Sequence, residues 1–244
     1  MTSTHIGTAG WTLPKDAAHA FATPGTHLER YALAINCTEI NSTFYRLPRV
    51  STLERWAASV PQNFRFALKA PKAITHEAAL RRCSSALHEF IHSAANLAGK
   101  LGPLLFQLPP KQVFDPAVAE EFLTALREMH PGPVTLEPRN ASWFTSEAAA
   151  MLRHFEVARV AADPARVPEA AKPGGWSGLR YYRLHGSPRT YYSRYTREFI
   201  EDLAAQTRSH STKAEVWCIF DNTASGAAIH NAQELRDLLN EKSS

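Results

Sequence analysis

Cys37-Thr-Glu-Ile-Asn-Ser-Thr-Phe-Tyr-Arg-Leu-Pro48 reads as a strand whose alternate positions carry opposite chemistry. Side chains of a strand alternate between two faces, so Glu39 and Asn41 share one face and Ile40 points to the other. Ile35 and the apolar residues before it mark this strand as buried, and a carboxylate is rarely buried without a partner. The remaining chain must therefore bring cations or hydrogen-bond donors to meet Glu39, and the segments on either side show how.

Upstream, His5 to Trp11 is a short strand, and Leu28, Tyr31 and Ala32 or Leu33 give Thr26 to Ala34 a helical stripe. Downstream, Ser51 and Glu54 have capping-box spacing ahead of a helix with Leu53, Trp56 and Ala57 on one side. Phe64 to Ala70 alternates as a third strand and delivers Lys69, on the face of Ala67, as a partner for Glu39. A helix over Ser84 to Ala98 and punctuation at Gly102-Pro103 precede a fourth strand, Leu104 to Leu108, whose polar member is Gln107. Asp115-Pro116 combines N-cap and N1 preferences at the head of the next helix.

Val134 to Arg139 is a fifth strand with Thr135, Glu137 and Arg139 on one face. A helix at Thr145 to Phe155 leads to a sixth strand, Val157 to Asp163, after which Pro164 to Gly178 is rich in Pro, Gly and Ala and lacks a helical stripe. Leu179 to Gly186 places Tyr181, Arg183 and His185 on one face of a seventh strand. A helix from Arg194 to Gln206, an eighth strand from Glu215 to Asp221 and a helix from Ala227 to Leu239 complete the chain. Eight strands separated by helices predict an α/β fold, a (β/α)8 TIM-type barrel spanning 1–244 as one domain, with an irregular loop in place of the helix after the sixth strand. An open doubly wound sheet competes, but no Gly-x-Gly-x-x-Gly or Walker loop follows any strand.

Barrels of this type carry function at the C-terminal ends of their strands. That rule gathers Glu39, Asn41, Lys69, Gln107, Glu137, Arg139, Asp163, Arg183, His185, Asp221 and Asn222 into one ring. Glu39, Lys69, Glu137 and His185 are its acid-base candidates, while Arg139 and Arg183, with Lys69, suit a carboxylate or phosphate. A purely structural ion-pair network closing the mouth would use the same residues. No metal or cofactor is expected: no His-x-His spacing occurs, and the arginines oppose a cation. Gly-x-Ser-x-Gly is also missing, and Cys37, Cys83 and Cys218 have no obvious base and no disulfide or zinc spacing.

The formal charge of +4 and pI near 9.0 give a mild preference for anionic partners. Trp11, Phe44, Tyr45, Trp143, Tyr191, Tyr192 and Tyr195 all follow strands, in positions suited to stacking on a sugar ring or a base. Pro188 to Arg197 interleaves cations with tyrosines and is the best nucleic-acid feature in the chain. No apolar run of membrane length and no signal-peptide pattern occurs, so a cytoplasmic location without a membrane partner is expected; no feature sets an oligomeric state.

Several stretches together resemble the DUF72 (YecE-like) family of bacterial and archaeal proteins: Gly7 to Trp11, Glu39 to Pro48, Phe64 to Pro71 with Ile74-Thr-His76, Gly102 to Pro110, Glu137-x-Arg139 with Ser142-Trp143, Tyr182 to Gly186 and Phe220-Asp-Asn222. The resemblance covers nearly the whole chain and implies a TIM-type barrel with an active-site-like cluster. It marks Trp11, Glu39, Asn41, Tyr45, Lys69, His76, Gln107, Glu137, Arg139, Trp143, Arg183, His185 and Asn222. Three departures concern the substrate side: a shorter, less aromatic segment after Trp11, Pro138 where an aromatic is usual, and Asp221 in place of a common Asn.

Together these features lead us to expect an acid-base enzyme of hydrolase, lyase or isomerase type, acting on a small anionic or sugar-like substrate. Glu39, Lys69, Glu137 and His185 would do the chemistry. Trp11, Asn41, Tyr45, His76, Gln107, Arg139, Trp143, Arg183, Asp221 and Asn222 would bind. A nucleic-acid binding or processing protein and a non-catalytic ligand-binding barrel are the alternatives.

Overall fold

A computed structural model describes residues 3–18, 21 and 24–241. Its strands are β1 (Thr4–Ala9), β2 (Cys37–Ile40), β3 (Arg65–Lys69), β4 (Leu101–Gln107), β5 (Val134–Glu137), β6 (Val157–Arg159), β7 (Ala161–Asp163), β8 (Gly174–Gly175), β9 (Leu179–Leu184) and β10 (Glu215–Phe220). They form one sheet in the order β7-β9-β10-β1-β2-β3-β4-β5-β6-β8, parallel throughout except for β8. The expected sixth strand breaks at Val160: its first half, β6, pairs with β5 and its second half, β7, pairs with β9. One segment thus joins both ends of the sheet, and the fold is a nearly closed TIM-type barrel. Between β7 and β9 the chain forms only a 3₁₀ turn, Pro168–Ala171, and β8, as the composition there predicted.

The helices are α1 (His27–Ala34), α2 (Val50–Ala58), α3 (Ser84–Ala95), α4 (Pro116–Met129), α5 (Ser146–His154), α6 (Arg197–Ser211) and α7 (Ala227–Glu241). Asp115 caps α4 by accepting from the Val118 N–H, with Pro116 in the first turn. The capping box lies elsewhere than expected. It forms at the head of α1, between Thr26 and Glu29, whereas α2 starts at Val50 with Arg49 in the cap position and no side-chain cap. Gly102 and Pro103 do not punctuate the fourth strand but lie inside it, where the β3–β4 register shifts between Phe66 and Leu68. Among the described residues, no helix is long and apolar enough to cross a membrane.

The strands bury two apolar layers. Their outward faces pack on the helices, joining Ile6, Phe66, Leu68, Leu104, Phe106, Tyr182 and Phe220 to Tyr31, Leu53, Phe90, Phe122, Leu152, Ile200 and Leu235. The barrel interior holds Cys37, Ala67, Leu105, Ala158, Val160, Leu179, Tyr181, Trp217 and Ile219. Trp217 fills its lower end, stacked between His5 at 4.5 Å and Tyr181 at 5.9 Å, with Nε1 donating to Glu215 over 2.8 Å. The ring leaves no room for a side chain at residue 102, where a Cβ would fall 2.5 Å from its Cη2 atom and 3.2 Å from the Phe66 carbonyl oxygen. Gly102→Ala is therefore expected to destabilise by about 1–3 kcal/mol through overpacking. A melting temperature equal to the wild type would show that the indole can move aside.

Candidate active site at the barrel mouth

Above the apolar interior, the inward positions become charged. Strand alternation aims Glu39, Lys69, Gln107, Glu137 and Arg183 at the axis, and the small side chains Ala9, Ala67, Ala158 and Ala162 at this level leave space for a long one. Arg183 takes that space. Its side chain is 1% exposed and it binds three carboxylates from three strand ends. Nε reaches Glu39 Oε2 at 3.1 Å, Nη2 reaches Glu39 Oε1 at 2.7 Å and Asp221 Oδ2 at 3.2 Å, and Nη1 reaches Glu137 Oε2 at 2.6 Å. Two points on Glu39 and further acceptors on either side use the planar guanidinium in a way an ammonium could not.

Each carboxylate has further donors. Tyr181 donates its hydroxyl to Glu39 Oε2 over 2.8 Å, which leaves both oxygens of this fully buried side chain occupied. Glu137 accepts from Gln107 Nε2 at 3.0 Å and from Arg139 Nε at 2.7 Å. Burial opposes its ionisation, but Arg183, Arg139 and His185 outweigh burial and hold the carboxyl well below the usual range. Asp221 is lowered as well: burial works against it, and the His185 hydrogen bond and Arg183 prevail. Since a carboxylate accepts, the 3.0 Å contact assigns a proton to His185 Nδ1 and leaves the lone pair on Nε2, 3.5 Å from Arg183 Nη1.

Two cations at this mouth keep donors that the network does not use. Arg139 spends only Nε on Glu137, and its Nη groups make no hydrogen bond among the described residues. Among the described residues Lys69 has no hydrogen bond or ion pair on its ammonium, which makes a cation–π contact 4.3 Å from the centre of the Phe44 ring. Burial, then the charges of Arg183 and Arg139, push its pKa down to about 8 against the pull of Glu39 and Glu137. Beside the network, on the side of β5, β7 and β9, is a cavity of about 230 Å³ lined by Glu137, Arg139, Arg166, His185, Thr190 and Tyr191, with prolines and alanines between them. Lys69 is at the same mouth but outside that lining.

The family described as "Protein of unknown function DUF72" matches residues 5–244. The chain belongs to the DUF72 family. It is 38% identical to the UPF0759 protein YecE of Escherichia coli (strain K12) over 105 residues, 43% of this chain and 37% of that protein, so the match spans about a third of that relative's length. Similarity to the UPF0759 protein YunF of Bacillus subtilis (strain 168) is lower, at 23% identity, but covers 96% of this chain and 94% of that protein. A DUF72 family protein from Enterococcus faecalis has a crystal structure that superposes with a TM-score of 0.81 at 21% identity, covering 98% of this chain and 96% of the other, which shows the shared fold.

In this DUF72 barrel, the residues singled out in the sequence separate into groups. Glu39, Gln107, Glu137, Arg139, Arg183, His185 and Asp221 form the connected cluster, with Lys69 close by. Asn41 falls beyond β2, at the head of a 3₁₀ turn, so it does not continue the alternation of Glu39, and its buried Oδ1 has no hydrogen-bond partner among the described residues. His76 packs edge-on against Phe44 and bonds Thr75. Tyr45 is exposed.

Three expected binding residues serve the scaffold instead. Trp143 is buried against Phe114 and donates to the Gln112 carbonyl, away from the mouth cavity. Asn222 donates to the Ser193 carbonyl and to Asn231 of α7. Trp11 packs edge-on against Trp56 of α2 and Phe66. For the two tryptophans the reason is shared: each sits where a βα loop turns down toward a helix, and the apolar gap there takes up its surface, while Asn222 is held by its two hydrogen bonds. Asp163, from the ring, is also structural, accepting from Tyr195 through Oδ1 at 2.8 Å.

Glu39 likewise changes role. With no exposed surface and both oxygens taken, it orients Arg183 and cannot touch a ligand. Tyr181 and Arg166 were not anticipated as site residues, and Phe44 was expected to stack on a ligand, not under the Lys69 ammonium. Tyr181 was legible from its parity with Arg183 and His185; nothing in the sequence pattern distinguishes Arg166, which comes from the irregular loop. Among the described residues no three His, Cys, Asp or Glu side chains converge as a metal site, because Arg183 occupies the space between the carboxylates.

Proposed function

We propose that the mouth of this barrel is the active site of an enzyme that uses general acid-base chemistry on a small anionic, sugar-like molecule. The observation that carries this reading is Lys69, an ammonium kept in a largely buried position without an ion pair or hydrogen bond among the described residues, while the carboxylates around it are already engaged by Arg183. A lone buried charge lowers stability, and such exceptions concentrate at functional sites. Lys69 and His185, not the saturated Glu39 and Glu137, are then the proton-transfer groups: a lysine titrating near 8 is available as a base, and His185 has Nε2 free of its carboxylate partner. Arg139, with its unused Nη groups on the cavity, binds the anionic end of the substrate, and Tyr191 beside His185 offers a ring face.

The nucleic-acid alternative is weaker in three dimensions than along the chain. Arg194 and Arg197 of the Pro188–Arg197 stretch both pair with Glu234, and Arg197 also with Glu201, which reduces the charge that phosphates would meet. Two measurements decide. Calorimetric titration with phosphorylated and carboxylated sugars should show binding that Arg139→Ala weakens about tenfold or more, the value of a charge-assisted contact. Incubation of the same panel in D2O should then show deuterium entering a bound ligand. Tight, steeply salt-dependent binding of oligonucleotides with no response to the sugars would overturn the reading.

A further inference from the structure

Lys69 differs from an ordinary surface lysine in more than its isolation. It ends β3, and its own carbonyl accepts from Thr43 Oγ1 at 2.6 Å while the next residue, Ala70, donates its N–H to Leu105. The base of the side chain is therefore pinned between two elements, and its tip is held against the Phe44 ring. The charged groups around the tip come from every strand end that faces it: Glu39 of β2, Glu137 with Arg139 at the end of β5, Arg183 of β9, Asp221 after β10, and His76 from the segment after β3. The three carboxylates are already engaged by Arg183, so none of them neutralises the amine by direct contact.

We infer that Lys69 is a nucleophile that forms an imine with the carbonyl group of a small anionic aldehyde or ketone. The inference rests on the proposal that the mouth binds a small anion, and it narrows the substrate to molecules with a carbonyl carbon near a carboxylate or phosphate. Desolvation and adjacent cations are the two devices that make a lysine amine nucleophilic, and both are present. Arg139 supplies the donors for the anionic group.

In the step itself, the neutral Nζ forms a bond to the carbonyl carbon, and one N–H proton passes to the carbonyl oxygen to give a carbinolamine. A second proton, taken from solvent, converts that hydroxyl to water. Water leaves as the nitrogen lone pair closes the C=N bond, and the iminium keeps the remaining N–H. No oxidant or reductant is needed. The iminium withdraws electrons from the adjacent carbon, which is what acid-base chemistry at that carbon requires.

With a pKa near 8, about one Lys69 in five is neutral at pH 7.4, roughly 200 times the fraction of an unperturbed lysine. Borohydride-type trapping reads this directly. The wild-type protein is incubated at pH 7.4 with pyruvate, glyoxylate, dihydroxyacetone phosphate or glyceraldehyde 3-phosphate and sodium cyanoborohydride, then digested with trypsin. A secondary amine at Lys69 blocks cleavage there, so the adduct appears as an uncut peptide Phe66–Lys72 of increased mass. The expected result is at least tenfold more labelling at Lys69 than at the exposed Lys72 or Lys111 with one of the anionic carbonyls, reduced by Arg139→Ala but not for acetaldehyde.

Labelling of Lys69 no faster than of those exposed lysines by all four compounds would overturn the inference. If deuterium exchange into a bound sugar still depended on Lys69 in that case, the acid-base reading would stand without the covalent step. If neither labelling nor anion binding occurred, both would fall.

Discussion

Arg183→Met is expected to lower the melting temperature by about 10 °C or to prevent folding. Removing one member of a buried ionic cluster costs about 3–5 kcal/mol, because the partners remain buried without a counter-charge, and each kcal/mol moves the melting point of a domain this size by about 2–4 °C. Here Glu39, Glu137 and Asp221 would lose their common partner at once. Arg183→Lys should recover only part of the loss, since one ammonium cannot reach three carboxylates. Adding Glu39→Gln and Glu137→Gln to Arg183→Met should restore stability by removing the stranded charges. If Arg183→Met melted within about 2 °C of the wild type, the cluster would not be holding the barrel mouth together.

The same cluster sets an acid limit. Glu137 and Asp221 have folded pKa values below their ordinary 4.5 and 3.8, so their contribution is complete above those values and is lost as pH falls through the lower, folded ones. Stability of the wild type should therefore decline steeply below about pH 4, and that decline should flatten in Glu137→Gln.

Lys69→Met is expected to act in opposite directions on function and stability. If Lys69 moves the proton, deuterium exchange should fall by about 10²–10⁴-fold. Stability should rise. The folded pKa of Lys69, about 8, is below its ordinary 10.5, so between these values the unfolded chain binds more protons than the folded one and wild-type stability increases with pH. The penalty is fully present below pH 8, is relieved through the interval and is gone above 10.5. The variant should accordingly melt higher than the wild type at pH 6.5 by several degrees, and the gap should close toward pH 10.5. A variant less stable at pH 6.5 would mean that Lys69 has a stabilising partner, which would remove the main support for the proposed function.

Much of this was legible along the chain. Alternation in Cys37 to Pro48 and in Leu179 to Gly186 aimed Glu39, Tyr181 and Arg183 inward, and the run of strand and helix patterns selected the barrel. Capping was legible where the residue types are specific, as at Asp115-Pro116. It misled at Ser51 and Glu54, where the cap of α2 falls two residues earlier, at Arg49, and makes no side-chain cap hydrogen bond. Trp11, Trp143 and Asn222 were misplaced because a residue after a strand can turn toward the mouth or down toward a helix, and local spacing is the same in both cases.

What the amino-acid order determined by itself is which side chains point to the barrel axis, because that depends only on a period of two along each strand. Which of them meet was decided by the tertiary structure. The sequence offered Lys69, on the neighbouring strand, as the partner of Glu39; the folded chain instead brings Arg183 from β9, with β10 and β1 between it and β2. Closure of the sheet, the stagger of its strands and the alanines at that level let a long guanidinium cross the interior and satisfy three carboxylates. Among the described residues Lys69 is left without a carboxylate partner as a result, held only against the Phe44 ring, and the proposed chemistry depends on that.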